Sequence, residues 1–177
     1  MAAPYHFVTR FRMGTDRKRV WDAMVDVEAW PGWWRWLLDV RVVEEGDELG
    51  VGSVFRQQIT SPLRYGFVWD VEIASVEEGA RVDLASYGAL EGRGRFVLAS
   101  VPDGTEVAFI WLVRTGKRWM NVLEPIARPV FTWSHDRLMD DFARGLAATL
   151  DCRLVWIRHE SLDPGEPGFF EMPAATA

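Results

Sequence analysis

The spacing of apolar residues changes period once along this chain, near Pro129, and that change limits the fold more than any motif does. From Pro129 onward Phe131, His135, Leu138, Met139, Phe142, Leu146 and Leu150 fall on one stripe, with Asp136, Arg137, Asp140, Asp141 and Arg144 mostly off it. Recurrence every three to four residues over about twenty positions predicts a long amphipathic helix. Before Pro129 most of the chain has the period of two expected of strands. Candidate strands are Asp39 to Glu45, Ser53 to Thr60, Arg64 to Val76, Ala80 to Tyr87, Glu91 to Val101 and Thr105 to Thr115. Turn residues separate them: Gly46-Asp47, Ser61-Pro62, Glu78-Gly79, Gly88 and Pro102-Asp103-Gly104. Short connections make neighbouring strands antiparallel, so this is a meander and not an alternation of strands with helices.

One more strand opens the chain. Tyr5, Phe7, Thr9, Phe11 and Met13 alternate with His6, Val8, Arg10 and Arg12, and Gly14 ends the run. Thr15 and Asp16 are N-cap types, and Val20, Trp21, Met24 and Val25 make the stripe of a first short helix, expected to stop near Ala29 ahead of Pro31. Trp30, Trp33, Trp34 and Leu37 have helical offsets and predict a second short helix over Gly32 to Leu37. The tally is an α+β chain: a seven-stranded antiparallel sheet, two short helices after its first strand, and a long C-terminal helix. Cys152 is expected near the end of that helix as a small core residue. Residues 1–158 form the expected domain and 159–177 a tail, with Phe169-Phe170 its anchor onto the body.

At 177 residues one domain is the expectation, and a chain this long can bury a core without metal or disulfide. Twenty basic against 26 acidic residues give a net charge of −6, the wrong sign for a protein that tracks phosphates. The short basic runs Arg17-Lys18-Arg19 and Lys117-Arg118 read as solvated faces. A single cysteine excludes an internal disulfide, and His6, His135 and His159 have no metal-site spacing. No metal, cofactor or nucleic-acid partner is expected. Met1 to Phe11 has no charged start followed by a long apolar run, and no stretch approaches 18 uninterrupted apolar residues, so the reading is a cytoplasmic protein without stable membrane insertion. A homodimer is left open.

Val20-Trp21-Asp22 with Asp26, Trp30-Pro31-Gly32-Trp33, Glu91-Gly92-Arg93-Gly94-Arg95, Trp111-Leu112-Val113, and Pro129-Val130-Phe131-Thr132-Trp133-Ser134-His135-Asp136 leading to Met139 and Gly145-Leu146 carry a resemblance. With the order of elements, they make residues 5 to 155 similar to the START-like superfamily, in its polyketide cyclase/dehydrase and lipid-transport branch. The resemblance implies a helix-grip fold, in which a curved sheet wraps around the last helix. It also implies a cavity for a hydrophobic small molecule, whose kind varies within the family: aromatic polyketides, sterols and other lipids, plant hormones, quinones.

Ten Trp and ten Phe exceed what a small core needs and suit a cavity wall. Phe67, Trp69, Val71 and Ile73 share one strand face, and Phe109, Trp111 and Val113 share another. With Trp34, Met139 and Phe142 these are the expected wall, although rings at strand period also serve as plain core filling. His135 is the candidate titratable group. It is open to three roles: a buried histidine satisfied by a carbonyl, a hydrogen bond that orients a ligand, or an acid/base in a cyclase/dehydratase reaction. Asp136 is its neighbour in sequence but points about 100° away, so a dyad is not expected. Arg93, Arg95, Asp83 and Tyr87 have outward parity, and only a bulge at a glycine would turn Arg93 or Arg95 inward. Gly94 is read as marking either a bulge or a close neighbour, so Val there should harm the sheet more than Ala at Arg93. No Gly-x-Ser-x-Gly elbow supports Ser134 as a nucleophile. A third reading, of a protein that presents a quinone or lipid to a partner, would need an exposed apolar patch around Trp30 to Trp36.

Overall fold

The computed structural model describes residues 5–115 and 124–161. Eight strands form one antiparallel sheet: β1 Tyr5–Met13, β2 Leu37–Glu44, β3 Val54–Thr60, β4 Gly66–Glu77, β5 Arg81–Gly88, β6 Leu90–Val101, β7 Gly104–Thr115 and β8 Leu154–Ser161. Their spatial order is β2-β3-β4-β5-β6-β7-β1-β8. The chain leaves β1 through helix α1, Arg17–Val25, and a 3-10 helix, Val27–Gly32. It then enters the sheet at its far edge and meanders back until β7 pairs with β1. Helix α2, Glu124–Thr149, lies on the inner face, and this is the helix-grip arrangement.

The strands follow the sequence pattern because each has an apolar parity to bury. Tyr5, Phe7, Thr9, Phe11 and Met13 are all buried under α2, as the alternation requires. His6 and Val8 are buried as well, since β1 is an interior strand and Val8 sits opposite the buried Ile110 of β7. The Pro102-Asp103-Gly104 hairpin is present: Val101 pairs with Gly104, and Asp103 takes the left-handed conformation at φ 64°.

Four expectations are corrected. Helix α1 stops at Val25 and not near Ala29, because Asp26 leaves the helical conformation at ψ 67°. Residues 27–32 then form the 3-10 helix, so the second helix lies before the predicted Gly32 to Leu37, and Leu37 opens β2 opposite Ile59. Helix α2 starts at Glu124, with Pro129 inside it. The eighth strand was unexpected. The helix ends where Asp151 turns left-handed at φ 46°, a position more often held by Gly, and Cys152 N–H reaches back to the Ala147 carbonyl at 3.0 Å. Cys152 thus lies just past the helix end, half-buried, and the chain returns beside β1 through Ser161. Lys117-Arg118 and Phe169-Phe170 lie outside the described residues.

The Trp-rich segment holds α2 down. Phe142 is 1% exposed, and the rings of Trp30, Trp33 and Trp34 each meet it edge-on with centroids 5.2 Å away. Trp34 Nε1 donates to the Leu138 carbonyl at 3.0 Å, and Trp36 Nε1 donates to Asp141 on the same helix. Gly145 lets the helix approach Trp33 so closely that a Cβ would fall 2.2 Å from the Trp33 carbonyl oxygen. Trp30 and Trp34 are buried and Trp33 and Trp36 are half-buried, so no exposed apolar patch exists there, and the presenting-protein reading loses its support.

Candidate functional site

Between the inner face of the sheet and α2 lies a cavity of about 510 Å³, within the usual range for small-molecule sites. All but one of the expected wall residues border it. Phe67 and Trp69 come from β4, Phe109 and Trp111 from β7, His135, Met139 and Phe142 from α2, and Trp34 from the segment before β2. Val71 and Ile73 join them, but Val113 does not: it is packed in the core opposite Tyr5 and Gly92. The sheet yields space because β5 and β6 present Ser86 and Gly94 at inward positions where larger residues would fill it. Exposed apolar side chains border the cavity at opposite ends of β3. Leu63 and Tyr65 follow the strand and Leu49 precedes it, and the exposed Val25 and Val130 border the cavity as well.

Arg93, Arg95, Asp83 and Tyr87 all face away from the cavity. Pairing of β6 with β5 and β7 continues through Gly94 without a register shift, so no bulge turns an arginine inward. Arg95 Nη2 donates to Asp83 Oδ2 at 3.0 Å, Ser75 Oγ donates to the same carboxylate at 2.9 Å, and Tyr87 donates to Glu72 at 2.8 Å. These groups form a charged ladder on the outer face. The close approach expected at Gly94 belongs to Gly92, where a Cβ would lie 2.0 Å from the Leu112 carbonyl oxygen; at Gly94 the nearest atoms are side-chain carbons at 3.3 to 3.5 Å.

His135 is 5% exposed and stacks on Phe7 with ring centroids 4.0 Å apart and planes 10° apart. Trp111 and Phe109 lie farther out on the same ring system, at 5.7 and 6.5 Å. Neither ring nitrogen makes a hydrogen bond, and both are shut off from solvent, so the satisfied-histidine alternative does not describe this ring. The Asp136 carboxylate swings back to 3.5 Å from Nδ1, nearer than the 100° rule suggests but outside hydrogen-bond geometry. Asp136 also lies 3.6 Å from His159 Nδ1, while His159 Nε2 meets Asp140 at 2.9 Å. Two of the three histidines scattered in sequence therefore converge on one carboxylate. Among the described residues no cluster of three or more His, Cys, Asp or Glu could hold a metal ion.

Burial pushes the His135 pKa below its usual value; Asp136 opposes this and His159 adds to it. The folded protein keeps the ring neutral while the unfolded chain takes up a proton near pH 6.5, so the stability contribution is present above that value and is lost as pH falls toward the folded pKa. Between pH 7.5 and 5.5 the wild type should lose about 1 kcal/mol more than a His135→Phe variant, from the limit of about 1.4 kcal/mol per pH unit for one proton. Urea melts at the two pH values check this. Equal losses in both proteins would mean that His135 titrates normally.

Sequence reasoning missed the polar residues of the wall. Ser53 and Ser61 are buried, and their hydroxyls accept from loop N–H groups of Gly46 at 3.0 Å and Tyr65 at 3.3 Å. Ser86 Oγ and Trp30 Nε1 are buried without hydrogen-bond partners. Gln57 of β3 also borders the cavity. The signal for Gln57 was available: it has the parity of Phe55 and Ile59, so a polar residue occupies an inward position.

The model of the family described as polyketide cyclase / dehydrase and lipid transport matches residues 13–143. Among curated proteins no sequence matches. A START superfamily protein from Mycobacterium smegmatis superimposes with a TM-score of 0.68 at 14% identity, over 82% of this chain and 97% of that one. The Zhui aromatase/cyclase from Streptomyces sp. R1128 gives 0.66 at 12% identity, over 82% and 93%. At such identities the superpositions show a shared fold. Among the described residues no helix is long and apolar enough to cross a membrane. The family match spans well over half of the 177 residues, and the chain belongs to the polyketide cyclase/dehydrase and lipid-transport family.

Proposed function

We propose that this protein encloses a hydrophobic small molecule of the aromatic polyketide, lipid or quinone class, with the Trp and Phe walls supplying affinity and His135 setting orientation. The observation that carries the reading is the cavity itself: about 510 Å³ of space bordered by aromatic rings on the sheet and the helix, with apolar rims. Such a surface suits a flat or greasy ligand, since burying apolar area is worth about 25 cal/mol per Å² before the costs of binding. A ligand bound this way should survive purification. Native mass spectrometry of protein taken from its own host is expected to show a retained hydrophobic mass, and protein repeatedly free of any would count against the reading.

An aromatase-type cyclase/dehydratase is the second reading, favoured by the Asp136 carboxylate beside His135 Nδ1 and by the fold shared with an aromatase/cyclase. There His135 would take a proton from the carbon between two ketones, that carbon would bond to a third carbonyl carbon, and the imidazolium would return the proton to the new alkoxide; His135 would then take the same carbon's second proton and pass it to the departing hydroxyl, leaving water and a carbon–carbon double bond. The two readings separate on one variant. For a binder, His135→Ala weakens binding by about 1 to 2 kcal/mol, roughly fivefold to thirtyfold, with no conversion of a poly-β-keto probe. For a cyclase it cuts turnover by roughly 10² to 10⁴ with little change in binding. The binder outcome is expected, because among the described lining residues His135 is the one imidazole and there is no carboxylate or amine, whereas closure with loss of water moves protons at more than one place.

A further inference from the structure

We infer that Gln57 selects, among flat hydrophobic ligands, those that carry a hydroxyl group on the edge facing β3; this rests on the ligand-binding reading above. Gln57 is 6% exposed, borders the cavity, and lies between Val40 of β2 and Trp69 of β4 in the sheet register. Its inward neighbours along the strand are Phe55 and Ile59, which also border the cavity. A side-chain amide brings two N–H donors and an acceptor oxygen, and inside a protein each normally finds a partner. No hydrogen bond from this amide to a described residue exists. Nor is the amide sealed from the cavity as Ser86 Oγ, Trp30 Nε1 and the His135 nitrogens are.

The other polar groups on the β3 side have structural duties. Ser53 and Ser61, at the two ends of the strand, hold the loops that follow β2 and β3 by accepting backbone N–H groups. Gln57, at the middle, holds nothing. An apolar side chain there would match Phe55, Ile59 and Val71 around it and avoid the cost of a buried, unpaired amide. The position therefore gives up stability for something outside the folded chain, and an amide that both donates and accepts suits an enol or phenol hydroxyl, which does both. A ring laid against Trp69 would bring its edge to Gln57, the residue opposite in the ladder. Discrimination follows from that contact, since a site with a polar group to satisfy disfavours the analogue that leaves it unpaired.

The test measures quenching of tryptophan fluorescence by 2-hydroxyanthraquinone and by anthraquinone, in wild type, Gln57→Leu and the nearly isosteric Gln57→Met. Wild type should prefer the hydroxylated quinone by about tenfold, the scale of one net hydrogen bond. Both variants should lose most of that preference while holding anthraquinone as well as before or better. Both should also melt at the same or a higher temperature, a shift that a residue needed for the fold would reverse. An unchanged preference in the variants, or a lower melting temperature with the preference intact, overturns the inference and leaves the binding reading in place. If neither quinone nor 8-anilinonaphthalene-1-sulfonate binds the wild type, the binding reading fails and the inference fails with it.

Discussion

Replacing Phe142 with Ala should cost about 3 to 5 kcal/mol, the range for deleting a fully buried aromatic side chain from a core. The site has no slack to absorb the loss. Phe142 meets three indoles edge-on and also touches Phe11 and Phe96, so truncation leaves five rings facing a void. Each edge-on pair adds about 0.5 to 1.5 kcal/mol beyond area burial, and these rings cannot collapse together because their own backbones are fixed by the sheet and by the bond from Trp34 to Leu138. For a chain of this length a loss of that size lowers the melting temperature by roughly 6 to 20 °C. Trp133→Ala is the contrast, since Trp133 on the same helix is 45% exposed and should shift the melt little. Near-UV circular dichroism and calorimetry give both numbers. A Phe142→Ala protein that melts within a degree or two of wild type would mean that α2 is not held by this ring.

The second large effect is expected in the sheet. Gly92→Ala should destabilise by about 3 kcal/mol or more, at or above the upper end for overpacked sites, because the new methyl group would overlap the Leu112 carbonyl oxygen at 2.0 Å and lie 2.8 Å from Val113 Cα. Both obstacles are backbone atoms in a paired strand, so relief requires β6 and β7 to separate. Gly94→Ala meets only the tips of Phe109, Leu84 and Trp111 at 3.3 to 3.5 Å, and those can shift by a few tenths of an ångström. Gly94→Ala and the exposed Arg93→Ala should therefore stay within about 1 kcal/mol of wild type. Denaturant melts of the three variants decide the order. Equal losses at Gly92 and Gly94 would show that the strands give way more easily than their pairing implies.

That exchange of roles between two glycines illustrates what the sequence could and could not tell. Parity placed Gly94, Phe96 and Leu98 inward and Arg93 and Arg95 outward, as they are, because a strand's side chains have only two directions to choose between. How closely β7 approaches β6 at one residue depends on local twist, which no single-strand pattern encodes. The same division holds elsewhere. The long helix and seven strands follow from periodicity, whereas β8 does not: Val155 is exposed, His159 and Arg158 are polar, and an edge strand with one partner needs little apolar pattern. The aromatic wall could be named from alternation and the family resemblance. Gln57 could have been named too, but attention to rings passed over the one amide at their parity. The approach of His159 to Asp136 joins a helix to a strand that pattern alone did not reveal.

Of the eight described strands β1 is synthesised before the rest, yet its partners begin at Gly104 and Leu154. A ribosome adding about 5 to 20 residues per second needs roughly 5 to 20 s to go from the end of β1 to the start of β7. Throughout that interval Tyr5, Phe7, Phe11 and Met13 have no sheet to join, while β2 to β6 can already zip through their short hairpins. The nascent chain is thus a growing meander trailing an unpaired aromatic strand, and its long-range closure is expected to be the slow step of folding.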